Sequence, residues 1–342
     1  MTTAVAGLAS CSSDPPPRKH VTTSTHQLSL PVSNPTVTHV ALSGKWLAYT
    51  QASSGVPQDF PNEVVAVDLS DRTSRVVGRS AWPKGQSDWV VTDGDWVFWT
   101  DQSIAGADSP RGLRWTIRGL NLRTKKTVTL ARNTFDSPVP LPVAGGGKVV
   151  WAQQARKGST SNVLREFVIR AGRTQQLATV PAGWVPDQLA IGRNAAYFDA
   201  FTSDGKKSDV WRVASPGATP RRITDTGQAR GVTADPTSTI TAWSDGSTTS
   251  DPSSFTVATN DRPGRTVRSG VEYDLHVGSA FASYITQNAG LRIVPNGSTA
   301  SRQIATGLAI PCRTSVAANR IAYCTQDPTT GRITVRVDQF GK

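Results

Sequence analysis

The 342-residue sequence has little of what most enzymes use: one Met, three Cys and four His. His20, His26, His39 and His276 show no ligand spacing to one another or to a CxxC pair, so no metal site is expected. No Gly-x-Ser-x-Gly elbow occurs, which leaves Ser/His/Asp catalysis without its nucleophile turn. No Gly-rich loop follows a strand and opens a helix. Gly145-Gly146-Gly147 reads as a hairpin turn, and no cofactor is expected. Long runs with apolar residues three and four apart are missing too, which argues against an all-α fold. Acidic residues are the minority, 25 Asp and Glu against 37 Lys and Arg, for a formal charge of +12. That excess favours anionic partners through long-range attraction, but by itself gives only salt-sensitive, sequence-independent contact with nucleic acid, so no specific nucleic-acid partner is expected.

What is present is a phrase that returns: a turn with Gly, Asp or Asn, then apolar residues ending in an aromatic, then a polar residue. Clear copies are Gly44 to Gln51, Gly94 to Asp101 and Gly147 to Gln153; degenerate ones run from Arg193, Ser238, Gly278 and Asn319. Their closing aromatics are Tyr49, Trp99, Trp151, Tyr197, Trp243, Tyr284 and Tyr323. A recurrence of ~40–50 residues carrying several short strands marks a propeller blade, so the fold class expected is an all-β, seven-bladed β-propeller. In the first blade, Thr38 to Leu42 would be innermost, followed by Trp46 to Thr50, Glu63 to Leu69 and Ser74 to Val77. The seventh repeat stops after its third strand, Gly331 to Val337. Gln27 to Val32, ahead of the first blade, alternates as an outer strand should. An N-terminal strand therefore closes the ring and removes an unpaired edge. The expected organisation is a tether over 1–25 and the propeller over 26–342.

A propeller binds at the mouth of its central channel, so candidate residues should recur at one place in each repeat. Ten residues before the marker aromatics lie His39, Trp89, Leu141, Asp187, Thr233, Asp274 and Arg313, of which His39, Trp89, Asp187, Asp274 and Arg313 can carry binding at the channel mouth. Two residues after the markers lie Gln51, Asp101, Gln153, Asp199 and Asp245, then Thr286 and Thr325, a candidate polar ring where the second strands end. Two channel carboxylates, such as Asp187 and Asp274, could act as acid and base on a glycoside. Against that, Asp at a strand end is an ordinary turn residue, and the marker aromatics are better suited to packing between blades than to holding a sugar.

Leu8-Ala9-Ser10-Cys11 resembles the bacterial lipobox, in which cleavage precedes a Cys that carries diacylglycerol; Ser12 to Pro17 suits a flexible tether. The resemblance implies a lipid anchor at Cys11, although only ten residues precede it and none is basic. Cys312 and Cys324 flank a hairpin expected near Ala318. Paired as a disulfide they would belong in an oxidising compartment. Gly44 to Tyr49 with Val64 to Leu69, and Pro220 to Asp225, resemble the repeats of the TolB family of periplasmic or cell-surface propellers, whose known roles are mostly protein contacts. That family's Ser-Pro-Asp-Gly turn is absent. Taken together, these features lead to an expectation of an extracytoplasmic, lipid-anchored or secreted monomer. It would act as a non-enzymatic scaffold for a protein or an anionic envelope polymer, the alternative being a secreted carbohydrate-active enzyme.

Overall fold

The computed structural model describes residues 24–32, 37–53, 60–82, 85–103, 114–133, 138–246, 254–268, 271–286, 288–309 and 312–341. Cys11 and the tether lie outside them. Seven four-stranded antiparallel sheets are arranged as a seven-bladed β-propeller, and the described residues contain no helix. Blade 1 runs outward from the channel through Val40–Ser43, Trp46–Gln51, Glu63–Asp68 and Ser74–Arg79, close to the boundaries read from the sequence.

Each strand is β-rich for a reason that the ring supplies. Successive side chains point to opposite faces, and here each face packs on a neighbouring blade. Leu47 and Tyr49 enter the core shared with blade 7, whereas Trp46 and Ala48 enter the core shared with blade 2. Seven apolar cores fill the seven blade interfaces in this way. With both faces buried, the second strands read as continuous apolar runs rather than alternating ones. Tight turns such as Gly44-Lys45, with Gly44 at φ 53°, join inner to second strands at one end of the ring. At the blade 1/blade 2 interface there is no room for even a methyl group on Gly78, because a Cβ there would lie 2.6 Å from the Trp99 ring.

The seventh sheet is completed by the chain's start. Ser24–Pro31 pairs antiparallel with Ile333–Phe340, Leu28 opposite Val337 and Leu30 opposite Val335. Cys312, three residues ahead of the inner strand Ser315–Ala317, meets Cys324 of the second strand Arg320–Gln326, their sulfurs at bonding distance, 2.07 Å, with Cα atoms 6.0 Å apart.

Candidate functional site

Four of the inner strands, those of blades 2, 4, 5 and 6, carry a two-residue bulge. Their registers break between Asp88 and Val91, Pro186 and Leu189, Arg230 and Thr233, and Tyr273 and His276. A bulge leaves extra residues unpaired and re-aims side chains. Trp89 (φ 49°), Asp187, Gly231 (φ 66°) and Asp274 (φ 67°) all fall in these bulges.

Trp89 is the centre of the resulting cluster. Its indole N–H donates to the Pro142 carbonyl of blade 3 at 2.7 Å. Its ring lies 4.7 Å from the His39 ring of blade 1, and the Arg313 guanidinium of blade 7 stands 4.8 Å over it. One side chain from blade 2 therefore touches three other blades across the channel. His39 Nδ1 lies 2.8 Å from Asp88 Oδ1, which also accepts from the Trp89 N–H at 2.8 Å and from Thr38 Oγ1 at 3.2 Å. Burial alone would raise Asp88, but the hydrogen bond and charge of His39 outweigh it and hold the carboxyl below its usual range. The segments leading into the inner strands of blades 7 and 1 touch directly, Arg313 N–H donating to the Thr38 carbonyl at 3.2 Å.

Asp187 faces this group from blade 4. It is open to solvent yet walled in by protein, as a side chain on a channel wall is. That burial raises its pKa, and the charges of Arg313 and Arg230 pull it back. The other carboxylates are engaged. Asp274 is closed off, its side chain 2 % exposed, with Oδ1 3.0 Å from His276 Nε2 and Oδ2 accepting the Thr314 N–H of blade 7 at 2.5 Å. Its pKa is pushed up by burial and brought below the usual range mainly by His276. Asp199 is fully buried and accepts two bulge amides, Gln188 N–H at 2.7 Å and Gly231 N–H of blade 5 at 2.5 Å. Burial first, and then the Asp187 charge, push it up to about 7.

The polar ring turns into the blades. Trp99 Nε1 donates to Asp101 at 3.0 Å and Trp151 Nε1 to Gln153 at 2.8 Å, each aromatic anchored by the residue two further on. Asp101, with no exposed surface, also takes Ser87 Oγ at 2.7 Å and Arg118 Nη1 at 2.9 Å; Gln51 bonds Glu63, and Asp245 bonds Thr256. Asp199 differs because the fourth repeat is displaced by one residue. Phe198, not Tyr197, packs on the preceding blade, whereas Tyr197 faces blade 5. The displacement turns Asp199 toward the bulges instead of into its own blade. Sequence reasoning missed Asp88, Arg230 and the bulges; the one available signal was the extra length of the inner strands Gly85–Asp93 and Trp184–Gly192. Among the described residues, no three His, Cys, Asp or Glu side chains gather in a way that could hold a metal.

No family model and no curated protein matches this chain. Solved structures do resemble it. The β-propeller domain of the trilobed protease from Pyrococcus furiosus, described as having an open velcro topology, is 11 % identical over 89 % of this chain and 96 % of that one, with a TM-score of 0.59. YCF48 bound to D1 peptide is 9 % identical over 92 % and 97 %, TM-score 0.56. Oligogalacturonate lyase in complex with manganese is 9 % identical over 87 % and 74 %, TM-score 0.51. At such identities the likeness carries the fold alone, and the class it defines is the seven-bladed β-propeller. Enzymes and binding proteins share that class, so function has to be argued from the site.

Proposed function

We propose that this chain is a non-enzymatic binding propeller of the bacterial cell envelope, held at the membrane through lipid on Cys11, that takes a partner at the channel mouth. The observation that carries the reading is the Trp89 platform. A large ring is fixed at its N–H, capped by Arg313, backed by His39, and faced by Asp187 and Arg230. Such an arrangement offers apolar area and both signs of charge to a protein segment or to an envelope polymer. Hydrolysis of a glycoside asks for two carboxylates reaching one bond. Asp199 and Asp274 are enclosed and bonded to backbone amides, and Asp88, its side chain 30 % exposed, is held by His39 and the Trp89 N–H, which leaves Asp187 as the one of these four without a hydrogen bond among the described residues. Binding is therefore the better-supported reading.

Three features support the location: the lipobox-like Leu8 to Cys11, the Cys312–Cys324 pair at bonding distance, which persists in oxidising compartments, and the resemblance of the repeats to the TolB family. The formal charge of +12 favours an anionic partner. The test is retention of solubilised envelope components by the purified protein at low salt, compared with Trp89→Ala/Arg313→Ala. Retention by the parent and its loss in the double variant is the expected result. No retention by either protein, or equal retention by both, refutes the channel site. Intact mass of the protein made in a bacterial host from its native upstream start checks the anchor separately: a diacylglycerol adduct on Cys11 is expected, and an unmodified Cys11 removes that part of the reading.

A further inference from the structure

The core shared by blades 3 and 4 stops short of one end of the ring, where a cavity of about 150 Å³ lies beside the inner-to-second strand turns of the two blades. Its cause is in the sequence. Ala196 stands two residues before Phe198, the aromatic that packs on the preceding blade, and the same position is Leu47 in blade 1, Val97 in blade 2, Val149 in blade 3 and Ile321 in blade 7. A methyl group therefore stands where those blades place a branched aliphatic side chain.

Val150, Leu177, Ile191 and Val213 form the apolar wall of the cavity. Glu166, opposite Val150, breaks that surface: the equivalent residues of blades 1, 2, 5, 6 and 7 are Ala66, Gly119, Val257, Ile293 and Val337. A buried carboxylate is tolerated only when it is paired. Here Oε1 accepts from Gln175 Nε2 at 2.6 Å, and Oε2 lies 3.3 Å from Lys148 Nζ. Glu166, 1 % exposed, offers no surface of its own to a ligand and instead holds Lys148 against the wall. The Lys148 side chain is 42 % exposed, and its ammonium keeps N–H donors beyond the one turned to Glu166.

The turn between Gly192 and Ala195 supplies further polar groups. Arg193 and Asn194 line the cavity from its exposed tip, and Ser215 lines it from just past Ser208–Val213, the third strand of blade 4. Among the described residues, none of these three side chains has a hydrogen-bond or ion-pair partner. Accessible donors from two blades thus meet at one cavity whose only carboxylate is already engaged.

We infer that the cavity between blades 3 and 4 binds a small organic monocarboxylate, with its hydrocarbon body against Val150, Leu177 and Ile191 and its carboxylate on Lys148 and Arg193. A void of this volume admits a body the size of benzene. Lys148 and Arg193 against Glu166 leave a single positive charge, which one carboxylate neutralises and a doubly charged phosphate monoester exceeds. Ammonium and guanidinium donors match an acid, not an amine. The Trp89 cluster contributes no residue here, so the inference stands apart from the channel reading.

The experiment titrates benzoate and isovalerate into the full chain by calorimetry or NMR, with benzamide, benzylamine and phenyl phosphate as matched probes. Saturable binding of at least one acid at about millimolar concentration is expected, the range open to a ligand of about nine non-hydrogen atoms or fewer. Arg193→Ser, on an exposed turn, should weaken it about tenfold, the size of one charge-assisted hydrogen bond. Arg132→Ser, which removes the same charge from the outer strand of blade 2, should weaken it about twofold or less. Ala196→Leu, which fills the cavity as Leu47 fills the corresponding place in blade 1, should abolish binding and leave the thermal midpoint at or above that of the parent. Circular dichroism checks that each variant is folded; should Ala196→Leu not be, Arg193→Ser against Arg132→Ser decides. Absence of saturable binding by either acid overturns the inference, as does equal binding by the parent and Arg193→Ser. Benzamide or benzylamine binding as tightly as benzoate, or phenyl phosphate binding more tightly, overturns the carboxylate as the ligand. Trp89→Ala/Arg313→Ala should bind the acid as the parent does, and a loss there would move the acid to the channel and overturn the cavity as its site.

Discussion

Asp88, Asp199 and Asp274 come from blades 2, 4 and 6, and each accepts hydrogen bonds from the inner strand of a neighbouring blade. They act as staples around the channel; of the two carboxylates that the sequence offered as acid and base, this occupies Asp274 and leaves Asp187 exposed. Asp199 carries a pH signature. Its folded-state pKa of about 7 lies above the ordinary 3.8, so the folded state holds this proton more tightly than the unfolded chain does. The stability it contributes is complete below about pH 4 and is lost as pH rises to about 7, an effect on the order of a few kcal/mol at most. Urea unfolding at about pH 5 and about pH 7.5 should show a smaller difference in Asp199→Asn than in the parent. An undiminished difference would mean that Asp199 is not the group responsible.

Strand assignments were legible because every strand is short, apolar and bounded by Gly, Asp or Asn turns, all of them local properties. The marker aromatics led to the right strands even where the marker itself was off by one, at Tyr197 and Phe198. What a count along the chain could not reveal is a bulge, since the same residues can be paired with or without an extra pair looped out. His39, Trp89 and Arg313 were reached by a fixed offset and do touch one another. Asp88 and Arg230 were not, because they lie one residue before Trp89 and three before Thr233, off the counted positions, and matter only through partners in other blades. The Cys312–Cys324 pair belongs to this scale as well. Closing a short loop between neighbouring strands should add about 3 kcal/mol. Cys312→Ser/Cys324→Ser should therefore unfold at lower urea than the oxidised parent, and reductant should bring the parent down to the variant. A parent unaffected by reductant would show that the bridge adds no stability.

The ring depends on both ends of the chain meeting in one sheet. Without Ser24–Pro31, the strand Ile333–Phe340 would present an unpaired edge and Leu28 would leave its core. Deletion of residues 1–32 should lower the thermal midpoint and promote aggregation. A synthetic peptide spanning 24–32, added in trans, should restore part of the loss, and a truncated chain as stable as the parent would refute closure by this strand. The deletion also removes Cys11, so its effect on stability is best read against Cys11→Ser, which leaves the strand in place.

By itself the sequence determined the blade count, the strand order, the closing strand and the closeness of two cysteines across a hairpin, because these follow from period, turn chemistry and alternation along the chain. Only the tertiary structure decided which polar residues meet. Trp89 bridges four blades, and Asp199 clasps a neighbour's bulge. The physical reason is that side-chain direction in a closed ring turns on single-residue shifts, and partners far apart in sequence are brought together only when the last blade joins the first.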